Sequence, residues 1–309
     1  MTDVSSTRPV IEVDQLTRSF RRKNALDDVS ISVPPGCVFG LLGENGAGKS
    51  TLIKHILGSL KAKSGSVRVF GEDPVEHAES VLGRIGYLSE DREMPTWMRV
   101  HEVLRYTQAF YPKWDEAFAN DLLNTFRLDK DAKVKHLSRG EKAQLGLLTA
   151  LAHRPELLLL DEPSSGLDAI VRRDILGAIV RTVADEGRTV FFSSHLLEEV
   201  ERVSDYIAMI SGGKLVLCDK LDHIKESHHR LIVHFEESHP QAPFIKGSLS
   251  CNGHGKEWTV ICDGELDQAQ EHIQEVGARI VEHNTPSLED LFIAYSERSS
   301  EVIAGETQA

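Results

Sequence analysis

Eight residues, Gly43-Glu44-Asn45-Gly46-Ala47-Gly48-Lys49-Ser50, constrain this chain more than any other stretch. They follow the pattern Gly, four free positions, Gly-Lys-Ser. The apolar run Cys37–Leu42 before them reads as a buried strand, and Thr51–Leu57 after them carries apolar residues at helical spacing. A strand, a glycine-rich turn and a helix in that order can aim backbone N–H groups at phosphate oxygens, and glycine is what lets the loop turn sharply enough. Lys49 can then reach the outer phosphates of a nucleotide and the Ser50 hydroxyl can sit on Mg²⁺. The helix adds the positive end of its dipole. A turn that merely joins strand to helix is the plain alternative, and the flanks argue against it.

At 309 residues the chain has room for one large or two ordinary domains with a substantial core. Its 35 Lys and Arg against 48 Asp and Glu give a formal charge of −13. That balance argues against docking on duplex DNA, so no nucleic-acid partner is expected. No apolar run approaches the roughly 18 to 20 residues that span a bilayer. Met1–Ser6 has neither a basic start nor an apolar signal core. The expectation is a cytosolic protein that reaches a membrane only through a partner. Cys37, Cys218, Cys251 and Cys262 are widely spaced, with no Cys-x-x-Cys pattern, and read as reduced, mostly core residues.

Along the chain, Ile11–Val13 and Val29–Val33 alternate apolar and polar like strands with one buried face. Between them Phe20 lies in a loop by pattern, among Arg18, Arg21 and Arg22, where a ring can stack on a purine; packing is the simpler reading of a lone loop Phe. Val67–Gly71 and Ile85–Leu88 are short strands. After the break at Pro95 the apolar spacing turns helical through Val103, Leu104, Tyr106, Phe110, Leu122, Leu123 and Phe126, which reads as a helical insert of about forty residues. It ends at Leu137-Ser138-Arg139-Gly140-Glu141. Ser138 with Glu141 three residues on is a capping box before Leu145, Leu148 and Leu151, and a helix start bearing Ser and Gly is a second anion-binding candidate.

Leu157–Leu160 reads as a fully buried strand ending in Asp161-Glu162-Pro163, at the end of a sheet where ligands bind in open α/β folds. Neighbouring strand residues point to opposite sides. Asp161 can therefore hold Mg²⁺ through water while Glu162 polarises an attacking water. Ser165-Gly166-Leu167-Asp168 leads into a helix to about Asp185–Glu186, with Gly187 as its stop. The strand Thr189–Phe192 ends at Ser193-Ser194-His195, placing His195 at another strand end, and a hairpin closes at Gly212-Gly213. From about residue 225 the pattern becomes a small α+β appendix: strands at Arg230–Glu236, Trp258–Cys262 and Arg279–Val281, a helix at Asp267–Val276, a Gly- and Ser-rich loop at Ser248–Lys256, and a polar tail after Glu297.

The order of these motifs resembles the nucleotide-binding subunit of ATP-binding cassette (ABC) transporters over residues 10 to about 220, and the ending Pro286–Phe292 looks most like separate ATPase subunits of bacterial exporters. The resemblance implies an α/β P-loop core with an N-terminal antiparallel β subdomain and a helical subdomain at about 95–150. Together these make an ATPase domain at 10–224, followed by an accessory domain at 225–297 and a tail at 298–309. It implies ATP and Mg²⁺ as ligands. Phe20 takes the adenine-stacking position, where Tyr is more usual. Gly43, Asn45, Gly46, Ala47, Gly48, Lys49, Ser50 and Thr51 form the phosphate loop. Ser138 and Gly140 belong to the signature, from which Arg139 and Glu141 depart. Asp161 and Ser50 serve the metal, Glu162 is the catalytic carboxylate, Asp168 the acid of the following loop and His195 the switch histidine. In Tyr87-Leu88-Ser89-Glu90, Glu90 stands where the family usually has Gln; it is read as a ligand of Mg²⁺, the alternative being a solvent-facing carboxylate.

The same resemblance implies a homodimer or heterodimer of ATPase subunits, head to tail, with each ATP between Lys49 of one copy and Ser138 of the other. It also implies a separate integral membrane permease, so that the chain sits on the cytoplasmic face of the membrane and couples ATP hydrolysis to transport, in the direction of export. Two other readings stand beside it. A soluble cassette ATPase acting on nucleic acid or the ribosome would usually carry two cassettes or basic patches, which are not seen here. A P-loop nucleotide kinase would leave the Ser138 pentad and His195 without a role.

Overall fold

Alternation of apolar and polar residues gives the first strands one buried face. In β1 (Ile11–Phe20) and β2 (Lys23–Val33), Ile11, Val13, Leu16, Leu26, Val29, Ile31 and Val33 are all buried. The two pair antiparallel, with Ile11 opposite Val33. The computed structural model describes residues 8–20, 23–184 and 187–306; Met1–Ser6, Arg21, Arg22, Asp185, Glu186 and the last three residues of the expected tail lie outside them. Phe20 is not in a loop. Irregular pairing between Leu16 and Ser19 breaks the alternation, and Phe20, the last residue of β1, lies opposite Lys23, 46% exposed, with the Arg18 guanidinium 4.8 Å from its ring centre.

The apolar run before the glycine-rich loop becomes β3 (Val38–Leu42), buried at every position, and the loop opens into α1 (Lys49–Ile56). β4 (Ser64–Val69) returns to the other edge of β1 and completes a three-stranded antiparallel sheet in the order β2-β1-β4. After α2 (Ala78–Leu82) comes β5 (Ile85–Leu88), then the helical insert: α3 (Val100–Gln108), α4 (Glu116–Thr125) and α5 (Arg139–Leu151). Of the helix-spaced residues in the insert, Val103, Leu122 and Phe126 are buried, but Tyr106 and Phe110 face outward and meet edge to face at 5.2 Å.

β6 (Leu157–Asp161), α6 (Ala169–Ala184), β7 (Thr189–Ser194), α7 (Leu197–Val203), β8 (Tyr206–Ser211) and β9 (Lys214–Lys220) follow. The second sheet has the order β5-β6-β7-β3-β8-β9, and β5, β6, β7, β3 and β8 run parallel. A parallel sheet is covered on both faces, which is why β3, β6 and β7 are buried at every position and carry apolar centres. Phe39 and Phe191 stack across adjacent strands at 5.5 Å in a core that also holds Leu41, Leu52, Ile53 and Leu159.

The chain divides into two compact units, Met1–Leu215 and Val216–Ala309. The second contains α8 (Leu221–Ser227), β10 (His228–His239), β11 (Ser248–Asp263), α9 (Leu266–Glu275), β12 (Ala278–Asn284) and α10 (Leu288–Glu306). Its antiparallel sheet, ordered β11-β10-β12, buries Val233, Phe235, Trp258 and Val260 against Ala269 and Ile273 of α9. Two sequence expectations change here. Ser248–Lys256 is strand rather than loop: a Cβ on Gly253 would come within 2.4 Å of the Glu257 carbonyl oxygen, so the glycines mark a tight reversal inside extended backbone. The segment after Glu297 continues α10 as far as Glu306, from a start capped by Ser287 and Asp290.

Candidate active site

β5, β6, β7 and β3 are consecutive neighbours in the sheet, and all four point the same way. The segments leaving their carboxyl ends carry Glu90, Asp161 with Glu162, His195 and the glycine-rich loop respectively. Register places Asp161 beside Ser193, and Leu42 beside Ser194. Residues far apart in sequence are thus gathered at one edge, where open α/β sheets bind ligands.

The loop ends at Gly48, whose φ of 117 only glycine adopts freely; a Cβ there would lie 2.3 Å from the Ala25 carbonyl oxygen. No side chain caps α1 and no acid stands in its first turn, so its leading N–H groups are free to receive an anion. The loop borders a cleft of about 330 Å³ lined by Ala25, Glu44, Asn45, Gly46, Gly48, Lys49, Ser50, Thr51, Glu90 and Glu162. A larger hollow of about 480 Å³ lies by Arg8, Arg84 and Arg188. There the Arg84 guanidinium already grips Glu156 through two hydrogen bonds of 2.8 and 2.7 Å, and the chemistry of the chain does not converge on it.

Lys49 is buried and donates to the Gly43 and Glu44 carbonyls at 2.7 and 3.3 Å, while its ammonium stands 3.0 Å from Glu162 Oε1. The other oxygen, Oε2, lies 2.7 Å from His195 Nδ1. Glu162, only 4% exposed, is therefore held between a cation at the start of α1 and an imidazole just past the end of β7. Its backbone sits at φ 48, an uncommon region for a residue with a side chain. That turn swings the carboxylate into the cleft while Asp161 stays behind it. Ser193 Oγ donates to Asp161 Oδ1 at 2.6 Å and accepts from Glu162 N at 3.0 Å, pinning both acids. Burial, then the Asp161 and Asp91 carboxylates, push the Tyr87 hydroxyl up to about 12.

Ser50 and Glu90 line the cleft and Asp161 keeps one carboxylate oxygen outside its bond to Ser193. These are hard oxygen donors of the kind Mg²⁺ takes, so the residues fit that ion. Glu90 is exposed on the cleft wall. Phe20, Ser138, Gly140 and Asp168 do not line the cleft. Ser138 caps α5 as its sequence implies: its hydroxyl accepts from Glu141 N at 3.1 Å, and Glu141 Oε2 accepts from Ser138 N at 2.8 Å. Asp168 caps α6, accepting from Ile170 and Val171 N at 3.0 and 3.1 Å. The two caps touch one another's elements. A Cβ on Gly140 would meet Val171 at 2.9 Å, and the Arg139 guanidinium covers Gly166.

Two participants escaped the sequence reading. Ser193 looked like ordinary strand end, and its hydroxyl gives it away only once β6 and β7 are seen to be adjacent. Arg92 lies in the charged run Glu90-Asp91-Arg92-Glu93, which reads as solvated, yet it is 6% exposed. Its Nη2 donates to the carbonyls of Glu162, Pro163 and Ser165.

A phosphate loop at the end of a central strand, with paired acids on the neighbouring segment and a histidine touching one of them, defines a nucleotide-hydrolysing P-loop protein. Comparison with known proteins narrows this. The ABC transporter family model matches residues 26–165. The chain is 31% identical to the ABC transporter ATP-binding protein YtrB of Bacillus subtilis over 288 residues, 92% of this chain and 97% of that one. It is 32% identical to the bacitracin transport ATP-binding protein BcrA of Bacillus licheniformis, over 72% of this chain and 74% of that one. A solved ATP-binding subunit of an ABC transporter superposes with a TM-score of 0.65 at 29% identity, covering 70% of this chain and 92% of that chain. A dimeric bacterial ABC transporter cassette, MJ0796, shares the fold with a TM-score of 0.62 at 21% identity, covering 68% of this chain and 98% of that chain. The chain belongs to the ABC transporter family as an ATP-binding, ATP-hydrolysing subunit.

Proposed function

We propose that Glu162 is the general base of ATP hydrolysis and that its placement between Lys49 and His195 is the observation that carries this role. A carboxylate so held has one oxygen paired with the lysine that reaches the outer phosphates and one oriented by the imidazole. When triphosphate enters, Lys49 exchanges its carbonyl and carboxylate partners for phosphate oxygens, and Glu162 is left facing the γ-phosphate, where it can take a proton from water. His195 keeps the carboxylate aimed. Ser50, Glu90 and, through water, Asp161 would hold Mg²⁺, which when bound neutralises charge on the phosphates.

The rest of the reading concerns partners. Ser138 is exposed, and in its cap the hydroxyl acts as acceptor, so its own proton remains available to a phosphate from outside. Asp168 and Ile170 are exposed at the start of α6, where Val171 packs against Gly140. A single chain thus presents a helix start able to bind phosphate away from its own cleft, which supports two copies meeting head to tail around ATP. Among the described residues no helix is long and apolar enough to cross a membrane. The reading assigns transport to a membrane permease, with this subunit bound to it at the cytoplasmic face, and likeness to a bacitracin transport ATP-binding protein supports it. The test is Glu162→Gln, which keeps shape and removes the base. Turnover is expected to fall by about 10² to 10⁴-fold while ATP still binds. Turnover within a few-fold of wild type would contradict the assignment.

A further inference from the structure

Arg92 has no role in the mechanism above, yet it is among the most deeply buried charges of the first unit. It follows Glu90 by two residues and sits at φ 50. From one nitrogen, Nη2, it donates at 3.2 Å to the Glu162 carbonyl, at 3.0 Å to that of Pro163 and at 3.1 Å to that of Ser165. Its Nε and Nη1 are buried with no hydrogen-bond partner. A buried guanidinium that leaves two nitrogens unmatched is costly in isolation. What it gains is the convergence of backbone carbonyls, all from the turn that follows β6. That turn is the one in which Glu162 takes its left-handed conformation, and such conformations persist where the surroundings over-determine them. The opposite side of the turn is held too. Ser164 Oγ donates to Glu199 Oε2, and Glu199 Oε1 stands 2.9 Å from Arg172 Nε on α6. Arg92 is thus the tie between the segment that carries Glu90 into the cleft and the turn that carries Glu162.

We propose that Arg92 is a positioning residue for hydrolysis: it holds the turn Glu162–Ser165, and through it the Glu162 carboxylate, in register with Lys49 and His195, and it transmits displacement of the Glu90 segment to that carboxylate. The proposal rests on Glu162 being the base. It predicts that loss of the guanidinium slows the chemical step and spares nucleotide binding, because Arg92 does not line the cleft. Misplacing a reacting group by about 1 Å costs on the order of 10²-fold.

The experiment uses the full chain with Arg92→Gln, Arg92→Lys, Glu162→Gln and the double variant Arg92→Gln/Glu162→Gln. Binding of a fluorescent ATP analogue gives the affinity and the number of competent sites, and steady-state assays give kcat per competent site and KM. Arg92→Gln is expected to lower kcat by roughly 10 to 100-fold with KM and affinity changed less than about threefold. Arg92→Lys, which keeps a cation able to reach the carbonyls, should recover part of that loss, and the double variant should be no slower than Glu162→Gln, since the two act through one group. If Arg92→Gln does not fold, Arg92→Lys decides: kcat reduced at unchanged affinity supports the proposal. A kcat per site within about twofold of wild type, a rise in KM at unchanged kcat, equal losses in the Gln and Lys variants, or additive losses in the double variant would overturn it. Should Glu162→Gln itself hydrolyse ATP like wild type, the base assignment fails instead, and the two failures are told apart by that arm.

Discussion

Lys49 makes four demands on its surroundings at once: burial, two carbonyl acceptors and a carboxylate. Only the turn of the glycine-rich loop and the neighbouring strand ends can meet them together. A buried ammonium with such partners is poised for an anion of higher charge density, so Lys49→Ala is expected to abolish high-affinity ATP binding rather than merely slow turnover. Isothermal titration checks this, and retained affinity at full occupancy would refute it. His195→Ala should behave differently. It leaves the phosphate loop intact and frees one Glu162 oxygen, so affinity persists while kcat falls. Chelating Mg²⁺ with EDTA should likewise stop hydrolysis, if Ser50, Glu90 and Asp161 hold the ion as their oxygens suggest; turnover in excess EDTA would remove that assignment.

Among the elements, α4 shows how a local rule of sequence becomes a measurable stability. Asp115 caps it by accepting from Phe118 N at 2.9 Å, and its other oxygen takes a hydrogen bond from Arg154 Nε at 3.0 Å. Asp115→Ala should cost about 0.5–2 kcal/mol in urea unfolding at pH 7. The backbone bond from Phe118, then Arg154, hold this carboxyl below the usual aspartate range. A depressed folded value means that the unfolded chain takes up the proton first. The stabilisation is therefore complete above about pH 4 and is lost as pH falls through the folded value. Comparing wild type with Asp115→Asn between pH 7 and pH 3 isolates this contribution, and an equal loss of stability in both proteins would contradict it.

Elements also differed in how plainly the sequence announced them. β3, β6 and β7 were legible because a strand covered on both faces is apolar through its centre, and the cap at Ser138 was legible because its partner Glu141 is local. What escaped was non-local or ambiguous. Ser248–Lys256 has turn residues because it reverses, but its flanks find strand partners that no local pattern reveals. Tyr106 and Phe110 keep helical spacing yet pack on each other at the surface, since period alone does not say which stripe meets the core. Arg92 was hidden because a charge run ordinarily means solvent, and only the turn after β6 supplies the carbonyls that bury it.

For the whole molecule, the separation of the two helix starts at Lys49 and Ser138 decides the form of the proposed machine. Lys49 faces the cleft of its own chain while Ser138 lies outside it, and the site proposed above is completed by a second copy. Closure around ATP and release after hydrolysis would then be the two states handed to a membrane partner. A substitution can separate this from simple loss of the helix cap. Asp is as good a cap as Ser, so Ser138→Asp keeps α5 while setting a negative charge against the phosphate. The decisive measurement is sedimentation of Glu162→Gln with ATP and Mg²⁺, alone and combined with Ser138→Asp. The account predicts that Glu162→Gln sediments as a dimer only with nucleotide and that Glu162→Gln/Ser138→Asp binds ATP yet remains a monomer. A monomer in the first case with ATP bound, or an equally stable dimer in the second, would contradict it.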